Sequence, residues 1–300
     1  MCTRWSSEAL SSPTEGTGCN ARATVSSGDP HVYATGHPVT PPLSVVVPWR
    51  DRPEFEETLA ANCKVLPTET QWIVVNGGGD KATLDAMVVG FSVTVVHLPL
   101  LRWSKGPVQN VGASFAESER LLLLDCDIVF DATGWSQMRA ALQPRTVVTM
   151  AKVFDDSLDI TPDADPVVNQ MELTIQDREV VMNRSRYWPA EGARSGPGVA
   201  LVHTEDFRRV GGLVGSLPRG LGFLDVDLLI RLDVAGVKRS EAGFGRHIDG
   251  AATTRSPARV SGDGTNFDVC MARYQAGQFH GTSTADQRKW LPLATVRHVQ

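Results

Sequence analysis

Asp125 and Asp127 stand one residue apart at the end of the apolar run "LLLLDCDIVF" (121–130). On an extended chain successive side chains alternate between faces, so this spacing puts both carboxylates on one side and turns Cys126 toward the interior. Two like charges that close repel, and one rises in pKa unless a cation lies nearby. A hard divalent ion, Mg2+ or Mn2+, meets that need by taking carboxylate oxygens together with the phosphate oxygens of a substrate. The plainer alternative is turn chemistry, in which one Asp caps the helix that begins near Asp131 and the other is solvated. Two histidines bear on the reading, His203 at the end of "GVALVHT", where a pocket residue can sit, and His247 in "GRHIDG". A lone histidine is, however, more often a surface or satisfied core residue.

The elements that position these groups are readable from hydrophobic pattern. "LSVVVP", "QWIVVN", "VTVVHL" and "RLLLLD" are short runs apolar on both faces, as strands of a parallel sheet covered by helices must be. Between them, "RPEFEETLAANCKVL" places Phe55, Leu59 and Cys63 on one helix face, and "GPVQNVGASFAES" does the same with Val108, Val111 and Phe115. Strand and helix in alternation predict a doubly wound α/β domain, whose ligands bind beyond the carboxyl ends of the strands. After "TVVTMAKVF" (146–154) the alternation fails, and residues 155–195 read as a polar insertion. "GVALVHT" then predicts a strand and "EDFRRVGGL" a short helix with Thr204 as N-cap and Gly211 at its end. In "LGFLDVDLLIRLDVAG", Asp225 or its neighbour begins a helix that carries Leu228, Leu229 and Leu232 inward. Residues 1–40 are rich in Ser, Thr, Gly and Pro and predict a flexible leader. The chain from 251 to 300 reads as a lid or a tail.

Composition bounds the function. With 300 residues, 42% hydrophobic and 21% charged, the chain can bury one large core or two smaller ones. A formal charge of −5 argues against a sequence-independent nucleic-acid binder, which needs clustered Lys and Arg. Five cysteines without CxxC spacing suggest neither a disulfide framework nor a structural zinc site, and fit a reducing cytoplasm. No run is long and apolar enough to predict a membrane-spanning helix, and no signal peptide is evident.

In order and spacing, "SVVVPWRDR", "WIVVNGGGD", "KGPVQNVGASFAESERLLLLDCD" and "GPGVALVHTEDFRRVGGL...GFLDVDLLIRL" resemble the family 2-like glycosyltransferases of the GT-A fold. The last stretch resembles the acceptor-side motif of galactosyltransferases and polypeptide N-acetylgalactosaminyltransferases. The resemblance runs from Leu43 to Gly250. It implies a Rossmann-like nucleotide-sugar half over 41–150 and a smaller acceptor half over 151–250. By this resemblance Pro48, Arg50 and Asp51 line the nucleotide pocket. Asn76 and Asp80 stand in the loop that reads the base, with Asn76 where relatives carry an acid. Lys105 and Asn110 approach ribose and diphosphate. Asp125 meets the ribose or a metal, Asp127 meets the metal directly, and His247 falls where relatives supply a third metal ligand, with His203 as its competitor. Asp225 is the implied catalytic base and Asp227 supports its loop, while Leu224 replaces an acid usual in the family. Trp103, Tyr187, Trp188 and Phe223 offer flat apolar area for sugar and acceptor, or are ordinary core and surface residues.

The reaction so implied is transfer of a sugar from a nucleoside-diphosphate donor, UDP-sugar favoured, to an acceptor hydroxyl with Mn2+ or Mg2+ bound and with inversion. The acceptor expected is soluble, a small metabolite, saccharide or peptide. A silent sugar-nucleotide-binding protein stays open because of Asn76 and Leu224, and a retaining transferase on the same fold is a nearer alternative. A nucleotidyltransferase is disfavoured, since "PWRDRPEFEE" lacks the glycines of its phosphate loop.

Overall fold

The computed structural model describes residues 40–155, 171–176, 179–184, 194–217, 223–248 and 265–300. The leader up to residue 39, most of the 155–195 insertion with Tyr187 and Trp188, and residues 249–264 lie outside the described residues. In chain order the elements are β1 (Ser44–Trp49), α1 (Phe55–Val65), β2 (Gln71–Gly77), α2 (Lys81–Met87), β3 (Val93–Leu98), α3 (Lys105–Ser114), β4 (Arg120–Leu123) and β5 (Ile128–Phe130). Then follow α4 (Ala132–Ala141), β6 (Thr146–Asp155), β7 (Met171–Gln176), β8 (Glu179–Arg184), β9 (Arg194–His203), α5 (Thr204–Arg209), α6 (Leu224–Val234) and β10 (Lys238–His247). The chain closes with α7 (Thr265–Gln275), α8 (Ser283–Trp290) and β11 (Thr295–Val299).

One nine-stranded mixed sheet, ordered β11-β3-β2-β1-β4-β9-β6-β10-β5, forms the centre, and β7 and β8 pair separately. β1, β2, β3 and β4 are mutually parallel, as the both-faced apolar runs require. Alternate residues of each strand feed two cores. Val46, Ile73, Val75 and Val96 pack under α3, α5, α6 and α7 on one face. Val45, Val47, Val74 and Val95 pack under α1, α2 and α4 on the other. Each such side chain contributes about 1.5–3 kcal/mol through burial.

One expectation is corrected at a helix end. Thr204 is the first residue of α5 and not its cap; His203 stands at the cap, because the Thr204 hydroxyl donates to Ser118 O at 2.6 Å instead. α6 starts at Leu224, the neighbour of Asp225, as expected, after Phe223, whose φ of 63° is left-handed. In the described part of 251–300, β11 pairs antiparallel with β3 through Val299↔Val93, and α8 packs on α3.

α4 meets β10 through two glycines. A Cβ on Gly134 would stand 2.1 Å from Phe244 O, and one on Gly243, with φ +75°, would stand 2.2 Å from Gly134 O. At both positions a side chain would strike the facing backbone.

α6 is locked to α7 by a buried network. Asp227 and Arg231, both 0% exposed, pair at 2.7 Å, and the Tyr274 hydroxyl donates to Asp227 Oδ1 at 2.6 Å. Removing one member strands a buried charge. Asp227→Ala is expected to lose about 3–5 kcal/mol of unfolding free energy in a urea titration, and Tyr274→Phe about 1 kcal/mol.

Candidate functional site

The strand order reverses at β1. β2 and β3 lie to one side of it and β4 to the other, which opens a crevice at the carboxyl ends of β1 and β4. The two strands run together up to Leu124, whose N–H donates to Val46 O at 3.1 Å, and then part. Arg50–Asp51–Arg52 follow one strand and Asp125–Cys126–Asp127 the other.

The acidic pair sits in a turn and not on an extended strand, which corrects the expected alternation. The turn arises because β5 begins only at Ile128 and must reach β10, far across the sheet. α1 pins it: Thr58 Oγ1 donates to Cys126 O at 2.7 Å, and the Asn62 amide donates to Ile128 O at 2.8 Å and accepts from Phe130 N–H at 2.9 Å. Neither Asp125 nor Asp127 caps the next helix. Asp131 does so itself, accepting from Thr133 and Gly134 N–H.

The two carboxylates face different cations. Asp125 Oδ1 is 2.7 Å from Lys105 Nζ, and the same ammonium is 2.9 Å from Asp225 Oδ1. Burial, outweighing the pull of Lys105 and helped by Asp225 and Asp127, pushes Asp125 up to about 6. Burial would lower Lys105, yet Asp125 and Asp225 hold it well above the usual ammonium range. Asp127 Oδ2 is 2.8 Å from Arg52 Nη2 and 3.2 Å from His247 Nε2. Burial works against its charge, but His247 and then Arg52 keep Asp127 below the ordinary carboxylate range. His247 arrives by register: it pairs with Ile128 across β10 and β5, and Ile248 N–H donates to Asp127 O at 2.8 Å.

Of the other expected residues, Asp51 and Asp80 meet. Asp51, at φ 50°, accepts the Asp80 N–H at 2.8 Å, and Asp80 caps α2 by accepting from Thr83 N–H. Asn76 is buried and closes its loop, accepting from Gly79 N–H at 2.6 Å and donating to Gly79 O at 3.0 Å. Pro48 is buried in β1, and Arg50 Nε lies 3.9 Å from Asp51 Oδ2. Asn110 is 0% exposed, its amide engaged by Leu213 N–H, Leu213 O and Asp286. That places Asn110 on the α3–α8 contact, away from the crevice. His203 pairs with Arg120 at the opposite end of β4, so it does not meet the acidic turn. Trp103 covers Gly77, and Phe223 stacks edge-on to Phe267 with ring centres 5.3 Å apart.

Sequence reasoning passed over Arg52, Glu54 and Gly198. Glu54 is buried and ion-paired to Arg52, so Arg52 joins two acids as Lys105 does. The recurrence of Arg two residues after Arg50, beyond a strand end, was the available signal. A Cβ on Gly198 would crowd Asp125 Oδ2 and stand 3.4 Å from Lys105 Nζ, so an added side chain there would displace that ion pair.

Among the described residues no group of three or more His, Cys, Asp or Glu side chains is arranged to hold a metal ion. Asp127 and His247 nevertheless bring a carboxylate oxygen and an imidazole nitrogen within 3.2 Å, a donor pair that suits Mn2+ sharing its shell with phosphate oxygens. No helix among the described residues is long and apolar enough to cross a membrane.

No family model matches the chain, and no curated protein matches it in sequence. Solved structures similar to it include a mannosyltransferase from Pyrobaculum calidifontis in complex with GDP-Man and Mn2+, at 12% identity and TM-score 0.49, covering 77% of this chain and 64% of that one. Another is S. aureus TarS 1-349 with UDP-GlcNAc, at 15% identity, TM-score 0.46 and coverage of 71% and 61%. A third is Drosophila beta1,4galactosyltransferase 7 with xylobiose, at 17%, TM-score 0.40 and coverage of 66% and 63%. The chain thus spans less than two thirds of each neighbour's length. Identities and TM-scores this low transfer neither substrate nor activity.

Arg52→Met is expected to lower unfolding free energy by about 3 kcal/mol, because Glu54 then keeps a buried charge without a cation. Urea denaturation should find Arg52→Met/Glu54→Gln more stable than Arg52→Met alone.

Proposed function

We propose that the protein is a GT-A-type glycosyltransferase that moves a sugar from a nucleoside-diphosphate donor to the hydroxyl of a soluble acceptor, with inversion and with a divalent cation bound. The observation that carries this reading is the convergence, at the β1/β4 crevice, of the Asp127–His247 pair with the Asp125–Lys105–Asp225 chain of charges. A crevice at a switch point of an α/β sheet is where such sheets bind nucleotides. Asp127 and His247 would hold Mn2+ or Mg2+, which when bound stabilises charge on the departing diphosphate. Arg50, Asp51 and Asp80 rim the loops at the ends of β1 and β2 and are proposed to meet the nucleoside, with buried Asn76 shaping the loop beneath. UDP is favoured as the nucleotide. Asp225, tied to Asp125 through Lys105, is proposed to take the proton from the acceptor hydroxyl. Asp225 stands in the first turn of α6. A small metabolite, saccharide or peptide acceptor is proposed, with neither nucleic acid nor membrane as partner and a cytoplasmic location.

A thermal-shift series of UDP and GDP with and without Mn2+ tests the donor side. UDP with Mn2+ should raise the melting temperature by mass action, and Asp127→Ala should abolish the metal-dependent part. Asp225→Asn should keep that stabilisation while lowering kcat for sugar transfer by about 10²–10⁴. Nucleotide binding without turnover of any UDP- or GDP-sugar, unaltered by Asp225→Asn, would instead identify a silent binding protein. Product stereochemistry decides between inversion and retention.

A further inference from the structure

We infer that Lys105 is a positioning residue for Asp225, holding the proposed base in place and coupling the donor side of the crevice to its acceptor side; this rests on the reading of Asp225 given above. One ammonium joins a carboxylate that follows β4 to a carboxylate that opens α6, at 2.7 and 2.9 Å. Lys105 is 6% exposed and occupies the first position of α3, with no acidic residue in that helix's first turn to offset it. Burial and the positive end of the helix dipole both oppose a cation there. Among the described residues two carboxylates compensate, so the position is unfavourable by every local rule except the partners it reaches.

The start of α6 needs such a tie. Its capping position is Phe223 in a left-handed conformation, with no side-chain hydrogen bond to the helix end. Asp227, on the same turn, is drawn away from the crevice by Arg231 and Tyr274. The link from this turn to the donor side therefore runs through Asp225 and Lys105. Without the ammonium, Asp125 and Asp225 would be like charges across one gap, and their repulsion would turn Asp225 away. A displaced base no longer reaches its proton. Because the ammonium is shared, a donor that engages Asp125 also changes the field at Asp225.

The test is a double-mutant cycle on the full chain with Lys105→Met, Asp225→Asn and the pair, with Lys105→Arg as the conservative variant. The activity probe is release of nucleoside diphosphate from a panel of UDP- and GDP-hexoses with Mn2+, water serving as acceptor. Lys105→Met should lower kcat by about tenfold or more with donor KM changed less than about threefold, and the double variant should be no slower than Asp225→Asn alone. Lys105→Arg should restore most of the rate. Multiplying losses in the double variant, or a Lys105→Met effect confined to donor KM, would overturn the inference and leave Lys105 a diphosphate contact. A second cycle on the melting temperature of the nucleotide-free protein does not depend on the reaction. If wild type turns over none of the donors, the proposed function fails, and the melting cycle alone decides the tie. Melting losses of Lys105→Met and Asp225→Asn that simply add would then overturn it, and losses that fail to add would support it.

Discussion

The site depends on keeping several carboxylates together at the mouth of one crevice without letting them drive each other apart. Glu54, Asp125, Asp127 and Asp225 come from three separate stretches of the chain, and two internal cations bind them in pairs: Arg52 joins Glu54 to Asp127, and Lys105 joins Asp125 to Asp225. An ion withdrawn from water is costly by several kcal/mol unless its partner is well placed. The rigid sheet beneath makes that placement possible. The two cations hold the carboxylates against their mutual repulsion.

The supporting structure shows how little of this is left to side-chain freedom. α1 fixes the backbone of the acidic turn through Thr58 and Asn62. The β5–β10 register delivers His247, and the two facing glycines of α4 and β10 allow that register. On the other side of the crevice, Asp51 and Asp80 stitch the first two strand-end loops into one surface. These groups are thus held by backbone pairing together with internal ion pairs.

Much of the scaffold was legible because its signal is local. Parallel strands buried on both faces leave continuous apolar runs, and β1 to β4 carry them openly. The acidic turn itself was legible as a pair of carboxylates, but its shape was not. Alternation holds only along an extended strand, and whether Asp125–Asp127 is extended is decided by β10, more than a hundred residues on. The same holds for Asn110, whose residue type suits a ligand contact yet whose partners are Leu213 and Asp286. His203 and His247 look alike in sequence, and only sheet order separates the end of β9 from the mouth of the crevice. Arg52 and Gly198 escaped notice because one is a common surface type and the other has no side chain to read.

The outer strand β11 adds a kinetic burden of its own. Thr94 on β3 and His298 on β11 hydrogen-bond although they are 204 positions apart. While a ribosome makes the intervening stretch, β3 has β2 on one flank and open N–H and C=O groups on the other. Such a bare margin invites pairing with any neighbouring nascent chain until its own cover is synthesised.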